Sequence, residues 1–272
     1  MSLGLLLNKK LKNSSKKFTF FYPGNINQKT GGYIYENNIF KFSKKNKFPI
    51  KFIELTSNYP NPNIQDIKNL NKLTSNIKSD NILIFDGLVL EGLDKSTDIF
   101  DNFKIIALIH HPLYLEFKGK KSEVFFKRAV KIYKKINYFI VTSLSTKKLL
   151  SKSFHINSNK ISIVEPGIEK FKIYKKTLST KVKILSCGSI IERKKYDYLI
   201  KEVQNIENIE LHLVGDVSRE SKYTSKIKKI ISKNNLKSKV ILHGKISQVK
   251  LEKLSSNCDF YISTSEYEGF GM

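Results

Sequence analysis

The chain has 272 residues, 40% hydrophobic and 27% charged, a composition that excludes an intrinsically disordered polymer and allows two modest domains. The formal net charge is +25, yet only three of the 49 basic residues are arginines. Arginine is the usual side chain for bidentate contacts to bases and phosphates, so the lysine excess indicates a compositional bias and argues against nucleic acid as the main partner. A basic nucleic-acid-binding protein is kept as the remote alternative.

Residues 1–17 place a short apolar run before their lysines and lack a small-residue cleavage site, so they predict a disordered basic leader rather than a secretory signal. No apolar stretch approaches the roughly 20 residues that span a bilayer. Cys187 and Cys258 each lie in a strand-like run. Two such cysteines predict small core residues, no disulfide framework and a reducing cytoplasm.

Short apolar runs alternate with helical stretches through the first half of the chain. Runs that are apolar throughout indicate strands buried on both faces of a parallel sheet. The predicted strands are Phe18–Tyr22, Ile50–Leu55, Ile82–Phe85, Ile105–Ile109, Tyr138–Val141 and Ile161–Val164. Helices are predicted from about Tyr33, from the Pro/Asn turn at 59–63 to about Ile77, over Lys121–Ile136 and over Ser145–Ser151. Residues 18–168 are therefore predicted to form a Rossmann-like domain.

The alternation breaks at Glu165–Gly167, and residues 169–181 are predicted to be a basic linker. It restarts with strands at Val182–Cys187, Ile209–Val214, Val240–Leu242 and Phe260–Ser263, and helices from Tyr196, over Lys222–Lys233 and over Gln248–Ser255. Repeated strand–helix units predict the α/β class, with two doubly wound parallel-sheet domains of which the second covers 182–272. Ligands of such domains bind at the carboxyl ends of the strands.

Two loops of the first half fall at such strand ends. Gly31 and Gly32 lead into a helix, where backbone amides and the helix dipole can receive an anion, although a Gly pair is as often a plain turn. His110 and His111 follow the fourth strand and can donate a hydrogen bond or carry a proton. A polar strand end held by Pro112 is the alternative. A metal site is not expected, since no Asp, Glu or Cys is spaced to complete one.

Two loops of the second half also lie directly after predicted strands. Gly188 allows a diphosphate to approach, and Arg193 and Lys194 can offset its charge, although a solvated cationic loop is the alternative. The last loop holds Glu268, a carboxylate that can accept hydrogen bonds from sugar hydroxyls. Its neighbours Gly269, Phe270 and Gly271 offer backbone amides to phosphate.

Together these loops resemble glycosyltransferase family 4, the group 1 glycosyltransferases, over nearly the whole chain from about Phe18. The closer similarity is in the second half: ILSCGSIIERKKYDYLI, IELHLVGD, KVILHGKIS and CDFYISTSEYEGFGM. In the first half GGYIYE, ILIFDGL, IIALIHHPLYLE and ISIVEPGIE also fit. The resemblance implies the GT-B fold, with two Rossmann-like domains. It also implies retaining transfer of a hexose from a nucleotide-diphosphate sugar to a glycan or lipid-linked acceptor, of the cell-envelope polysaccharide type, without metal or other cofactor.

The resemblance also implies roles for individual residues. Arg193 and Lys194 would hold the donor diphosphate, Gly31 and Gly32 would supply amides near phosphate and acceptor, and Glu268 would bind sugar hydroxyls beside Gly269, Phe270 and Gly271. His110 or His111 would face the transferred sugar, with the choice open. The base pocket would be lined by His243, Gly244 and Lys245.

Two departures from the family pattern stand out. Ser189 occupies a position where many relatives carry Arg, for which Arg193 can substitute. The family motif is Glu, seven residues, then Glu, and counted from Glu268 the second Glu falls beyond Met272. We therefore expect residues 1–272 to be an impaired or inactive, truncated form of such an enzyme, from a gene remnant or an incomplete sequence.

Residues 117–138 combine many lysines, Arg128 and several aromatic side chains on a predicted helix. Such a helix can lie on anionic lipid, so peripheral contact with the inner membrane face is one hypothesis. The alternative is a helix that covers the sheet and turns a solvated lysine face outwards.

Overall fold

The computed structural model describes residues 17–93, 99–167 and 170–271. These residues divide into two compact units. Unit 1 contains the described residues up to 167 together with 269–271, and unit 2 contains 170–268. The predicted leader, apart from its last residue, lies outside the described residues. Among the described residues, none of the helices is long and apolar enough to cross a membrane.

Unit 1 is built on a six-stranded parallel sheet with the order β2-β1-β3-β4-β5-β6. Its strands are β1 (Phe18–Pro23), β2 (Ile50–Leu55), β3 (Ile82–Asp86), β4 (Lys104–Ile109), β5 (Tyr138–Val141) and β6 (Ile161–Ile163). The strand order reverses direction at β1, between its neighbours β2 and β3. Doubly wound sheets form their ligand crevice at this kind of switch point, outside the carboxyl ends of the strands.

The helices of unit 1 are α1 (Gly31–Asn46), α2 (Ile64–Ser75), α3 (Gly87–Gly92), α4 (Ile99–Asn102), α5 (Gly119–Tyr133) and α6 (Leu144–Ser153), with 3-10 turns at Leu113–Glu116 and Ser158–Lys160. The core lies between the sheet and these helices and includes Phe21, Leu70, Phe85, Ile105 and Phe139, all fully buried. Helix α5 buries Phe125, Ala129, Ile132 and Tyr133 and leaves Lys120, Lys121, Lys127 and Lys131 exposed.

Helix α2 begins at a capping box. The Asn63 side chain accepts a hydrogen bond from the backbone amide of Asp66 at 2.9 Å. The Asp66 carboxylate accepts one from the backbone amide of Asn63 at 2.8 Å. Asp66 also accepts hydrogen bonds from Thr56 and Asn58. Burial acts to raise the pKa of Asp66, but these hydrogen bonds outweigh it and hold the pKa below the usual range.

Unit 2 is built on a four-stranded parallel sheet with the order β10-β7-β8-β9. Its strands are β7 (Val182–Cys187), β8 (Ile209–Val214), β9 (Val240–Gly244) and β10 (Phe260–Tyr261), and its helices are α7 (Tyr196–Val203), α8 (Ser221–Lys233) and α9 (Gln248–Asn257), with a 3-10 turn at Glu192–Lys194. A second core, which includes Ile190, Tyr196, Ile200, Leu211 and Ile227, lies between this sheet and helices α7 and α8.

The α/β class with two parallel sheets is confirmed, and all ten predicted strands are present. Strand β10 is shorter than predicted, and helix α1 begins two residues before the predicted start. Helices α3 and α4 were not predicted. Residues 170–181, predicted as linker, contain no helix or strand, yet the amides of Tyr174 and Thr177 bond to side chains at the end of α9.

The prediction that both cysteines are core residues is wrong in degree. Cys187 and Cys258 are free thiols of intermediate exposure: Cys187 is the last residue of β7, and Cys258 directly follows helix α9 and does not lie in a strand. Burial is still the main factor that raises the pKa of both thiols to about 11.

Candidate functional site

In unit 2 the loops after β7 and β8 approach each other closely. A Cβ on Gly215 would lie 1.8 Å from the carbonyl oxygen of Gly188, and both glycines have positive φ, +157° and +149°. The Gly188 amide donates to the carbonyl of Val214 at 2.8 Å. A Cβ on Gly188 itself would lie 2.9 Å from the side chain of Lys194. Glycine is therefore favoured at both positions, and the predicted approach of a diphosphate to Gly188 stays a prediction.

The 3-10 turn after β7 brings two cations to one carboxylate. The Nζ of Lys194 donates a short hydrogen bond to Glu268, and Nη1 of Arg193 lies 3.8 Å from Oε2 of the same carboxylate. Arg193 also donates to the carbonyl of Tyr267. The side chains of Arg193, Lys194 and Glu268 are 13%, 17% and 31% exposed, so they are partly screened from water. We call these three residues the cationic cluster.

Backbone contacts fix the geometry of the cationic cluster. The amide of Glu266 donates to the carbonyl of Arg193 at 2.9 Å, and the hydroxyl of Thr264 donates to the carbonyl of Lys194 at 2.8 Å. Burial acts to raise the pKa of Glu268, but the hydrogen bonds from Lys194 and Ser265 and the charges of the cations hold it below its usual range. Glu268 is therefore ionised at neutral pH, and two cations face one anion, which leaves positive charge for an anionic ligand.

The residues predicted to line a base pocket lie at the end of β9. His243 Nε2 lies 2.9 Å from Nδ1 of His212, whose Nε2 lies 2.9 Å from Glu210. Lys245 pairs with Asp216 at 2.9 Å, and Gly244 has φ +68°. Burial is the main factor that lowers the pKa of both histidines. The sequence analysis did not single out His212. The strand that carries it, IELHLV, alternates apolar and polar side chains, and a histidine inside such a strand could have been noted as a candidate.

In unit 1 the glycine pair begins helix α1, and Gly32 lies against a histidine. A Cβ on Gly32 would lie 3.2 Å from Cδ2 of His110, so the small residue makes room for the imidazole ring. Tyr33 donates from its hydroxyl to the carbonyl of Pro23 at 2.6 Å, which ties the start of α1 to the end of β1. The structure thus brings together two loops that the sequence singled out separately.

His110 and His111 have different surroundings. His111 Nε2 lies 2.9 Å from Oε1 of Glu116. The ring of His110 meets Tyr35 edge-on, and its Nε2 lies 3.6 Å from Oε1 of Glu36 and 3.9 Å from Oδ2 of Asp86. We call Glu36, Asp86 and His110 the carboxylate–histidine cluster.

Burial dominates the electrostatics of the carboxylate–histidine cluster. It raises the pKa of Glu36 to about 7 and the pKa of Asp86 well above its usual range, and it lowers the pKa of His110. The sequence analysis considered only spacing along the chain and did not single out Glu36 or Asp86; its expectation of no metal site stays a prediction. Two signals were available: Asp86 ends strand β3 beside β4, and Glu36 lies one helical turn after Gly32.

Three other predicted residues lie at the end of the described chain. Gly269 has intermediate exposure, the side chain of Phe270 is 38% exposed, and Gly271 adopts φ +85°. Their predicted contact with phosphate stays a prediction.

Residues 168–272 match the family model described as glycosyl transferases group 1. The chain matches none of the curated proteins with which it was compared. A TarM mutant of S. aureus, solved with fondaparinux, alpha-GlcNAc-glycerol and UDP, is 25% identical over 75% of this chain and 40% of its own, with a TM-score of 0.52. The chain therefore spans less than half the length of that protein.

Two further solved structures share the fold over a larger part of the chain. Sucrose-phosphate synthase from Thermosynechococcus elongatus has a TM-score of 0.71 at 14% identity and covers 94% of this chain and 77% of its own. HepE of Anabaena, in complex with UDP and glucose, has a TM-score of 0.63 at 13% identity and covers 94% and 76%. These similarities confirm the predicted fold class, GT-B, with a Rossmann-like parallel sheet in each unit.

Proposed function

We propose that the protein, whose residues 168–272 match the model of the group 1 glycosyltransferases, transfers a hexose from a nucleotide-diphosphate sugar to a glycan or lipid-linked acceptor and retains the anomeric configuration. The UDP found in the complexes of TarM and HepE supports a nucleotide donor, and the alpha-GlcNAc-glycerol in the former supports a glycan-type acceptor. Because the chain spans only 40% of TarM, the activity is proposed for the whole protein.

The observation that carries the proposal is the cationic cluster. When the glycosidic bond to the donor breaks, negative charge builds on the leaving diphosphate. Fixed cations in a partly desolvated site stabilise that charge without reorganisation. We infer that Arg193 and Lys194 do this. The absence of a side chain at Gly188 supports the inference, because it allows the side chain of Lys194 to lie against the end of the strand.

Glu268 has two roles in this proposal. Before the donor binds, its carboxylate pairs with Lys194 and keeps both cations at the strand end. When the diphosphate takes over the cations, the carboxylate oxygens can accept hydrogen bonds from sugar hydroxyls. The low pKa of Glu268 keeps it in the acceptor-only, ionised form through neutral pH.

On the acceptor side, we infer that Gly31 and Gly32 offer amides at the start of α1 and that one histidine of the His110–His111 pair faces the transferred sugar. The transfer needs no cofactor in this scheme, since Arg193 and Lys194 supply the positive charge at the diphosphate. His243, Gly244 and Lys245 are proposed to contact the base.

We infer action in the cytoplasm, which the two free thiols of Cys187 and Cys258 support. The outward lysines of α5, Lys120, Lys121, Lys127 and Lys131, support a peripheral contact with anionic lipid.

Binding of UDP, GDP and ADP by calorimetry tests the proposal, with Arg193→Gln and Lys194→Gln as test variants. Each variant removes a charge-assisted hydrogen bond worth about 1.5–3 kcal/mol, so affinity for the preferred diphosphate falls about tenfold to hundredfold. Lys195→Gln is the matched control, because Lys195 lies on the same turn but pairs with Glu266 at 2.9 Å.

Equal losses in all three variants would show a general charge effect and refute the assignment. Hydrolysis of UDP-glucose by the same preparation separates the two sequence-based alternatives. Turnover refutes the inactive form of residues 1–272, and tight binding without turnover supports it.

A further inference from the structure

The carboxylate–histidine cluster of unit 1 contains a hydrogen bond between two acids. The side chains of Glu36, on helix α1, and Asp86, at the end of β3, are 1% and 5% exposed and hydrogen-bond each other. Ionised carboxylates accept hydrogen bonds and donate none, so this hydrogen bond requires a proton on one of the two carboxyls. The pair therefore carries one proton and one negative charge while the hydrogen bond exists.

The surroundings of the pair indicate which carboxyl holds the proton. Oδ1 of Asp86 accepts the amide of Leu88 at 2.7 Å, which leaves Oδ2 to carry the hydrogen. Burial raises the pKa of Asp86 well above its usual range, and the charge of Glu36 and the hydrogen bond with it add to this rise. Burial also raises the pKa of Glu36 to about 7, although the hydrogen bond with Asp86 acts to lower it. Above neutral pH, Glu36 is therefore the ionised partner.

The charge of the pair faces one nitrogen of the His110 ring. Nε2 of His110 lies 3.6 Å from Oε1 of Glu36 and 3.9 Å from Oδ2 of Asp86, and it is buried without a hydrogen bond. These distances are too long for a strong hydrogen bond, but an opposite charge within about 4–6 Å still acts on a buried group. Within the described part of the chain, no lysine or arginine forms an ion pair with either carboxyl. The phenols of Tyr35 and Tyr22 stay neutral, because burial raises the pKa of both.

The other nitrogen of the same ring has different surroundings. The Cδ2–Nε2 edge lies against Gly32, where an added Cβ would come within 3.2 Å of Cδ2 and 3.3 Å of Nε2. Nδ1 forms no hydrogen bond with the described residues and, unlike Nε2, is not buried. In the neighbouring His111, by contrast, Nε2 already lies 2.9 Å from Oε1 of Glu116. Nδ1 of His110 is therefore the ring nitrogen of the cluster that a ligand can reach.

We propose that Glu36 and Asp86 are a positioning pair for His110, whose single shared proton and single negative charge hold a hydrogen on Nε2 and leave Nδ1 as a hydrogen-bond acceptor. A neutral imidazole with its hydrogen on one nitrogen offers the other nitrogen as acceptor. A hydroxyl of the transferred sugar as the partner of Nδ1 rests on the proposed function. The shared proton and its effect on His110 do not rest on it.

Amide substitutions separate a pair with one proton from two independent carboxylates. In Asp86→Asn the side-chain amide can donate to Glu36 as the protonated acid does, and its oxygen can still accept the amide of Leu88. In Glu36→Gln the new amide can donate to an ionised Asp86. Each single variant therefore keeps one negative charge beside Nε2 of His110, and the double variant Glu36→Gln/Asp86→Asn keeps none.

Nitrogen-15 NMR of the histidine-labelled full chain measures the tautomer and the titration of the ring without any substrate. His110 is identified among the five histidines by the signals that His110→Gln removes. We expect a hydrogen on Nε2 in wild type at pH 8, and titration midpoints close to wild type in both single variants. In the double variant the midpoint of His110 is expected to fall by at least about 1 pH unit, because the opposite charge is gone. Glu116→Gln is the matched control, since it changes the carboxylate beside His111 and should leave the midpoint of His110 unchanged.

Three NMR results would overturn the proposal. A single variant that lowers the midpoint as far as the double variant refutes the shared proton. A double variant with the wild-type midpoint shows that the pair does not act on His110, and a hydrogen on Nδ1 in wild type at pH 8 refutes the assigned tautomer.

Infrared spectroscopy of wild type covers the case in which the double variant does not fold. The chain is labelled with carbon-13 in the side-chain carboxyls of aspartate and glutamate and measured at pH 9. Glu91, with a pKa of about 8, is largely ionised at this pH. The band of one protonated carboxyl supports the pair, and the absence of such a band overturns it.

Discussion

Glu91 offers a quantitative test of the structure of unit 1. It lies on helix α3, its side chain is fully buried, and its two oxygens accept hydrogen bonds from the hydroxyl of Tyr133 at 2.6 Å and the amide of Leu113 at 2.9 Å. Leu113 follows the His110–His111 pair, so Glu91 anchors the segment that carries both histidines. Burial raises the pKa of Glu91 from 4.5 to about 8, against the opposing effect of both hydrogen bonds.

The sign of the effect on stability follows from proton binding. Between pH 4.5 and pH 8 the folded protein holds a proton on Glu91 that the unfolded chain has lost, so the free energy of unfolding falls as pH rises through this window. The difference between the two pKa values corresponds to about 5 kcal/mol in total, or roughly 1.4 kcal/mol per pH unit.

Glu91→Gln removes this titration while it keeps the shape of the side chain. The variant loses one hydrogen bond at every pH, at a cost of about 1–3 kcal/mol, but it gains about 5 kcal/mol on wild type between pH 4.5 and 8. Urea unfolding of both proteins from pH 4 to pH 9 measures this difference. The exposed Glu207→Gln serves as the control and is expected to track wild type. A difference between wild type and Glu91→Gln that stays flat with pH would refute the reasoning.

Two further predictions concern stability. Gly215→Ala is expected to lower the free energy of unfolding by more than about 3 kcal/mol, because its Cβ would overlap the carbonyl of Gly188. Gly119 has φ +57° and no neighbour within 4 Å of an added Cβ, so Gly119→Ala is expected to cost only about 1 kcal/mol. Comparable urea midpoints of the two variants would contradict this contrast. Asp66→Ala is expected to cost about 2 kcal/mol near pH 7 through loss of the capping box. Since the pKa of Asp66 is held low in the folded protein, the difference in the free energy of unfolding between wild type and Asp66→Ala should shrink as pH falls through the acid range. Thermal unfolding from pH 2 to pH 7 measures this difference, and a value that stays constant with pH would show that the carboxylate is not the cause.

The sequence predicted those parts of the fold in which one residue pattern has one meaning. Apolar runs such as Ile105–Ile109 are short and bounded by polar loops, which favours a buried parallel strand over a helix, and all ten predicted strands were identified in this way. Helix α3 was missed because GLVLEG is apolar on several sides and bounded by glycines, so it lacks the period of an amphipathic helix. Tertiary burial, which leaves Val89 and Leu90 without exposed surface, supplies the stability that local pattern does not signal.

For the candidate sites too, the sequence predicted residues that belong to a recognisable pattern and missed those whose role depends on tertiary packing. Gly188, Arg193 and Lys194 were predicted for the donor diphosphate and Glu268, in a separate loop, for sugar hydroxyls. The structure brings Arg193 and Lys194 to the carboxylate of Glu268, a contact that the sequence did not predict. Glu36 was not predicted, because its role depends on which face of α1 meets the sheet. Three-dimensional packing determines which face of α1 meets the sheet, and the sequence of the helix alone does not reveal it.

Strand β10 pairs with β7, so Phe260 finds its partner Ile184 about 75 residues earlier in the chain. During synthesis at about 5–20 residues per second, β7 emerges with one edge open and waits roughly 4–15 seconds for the strand that closes it. Thr264 and Glu268 follow β10 directly, and they contact Lys194 only once that strand has docked. The contacts around Lys194 therefore form only after β10 has been synthesised, and capture of a nucleotide diphosphate at the proposed site would report that β10 has docked against β7.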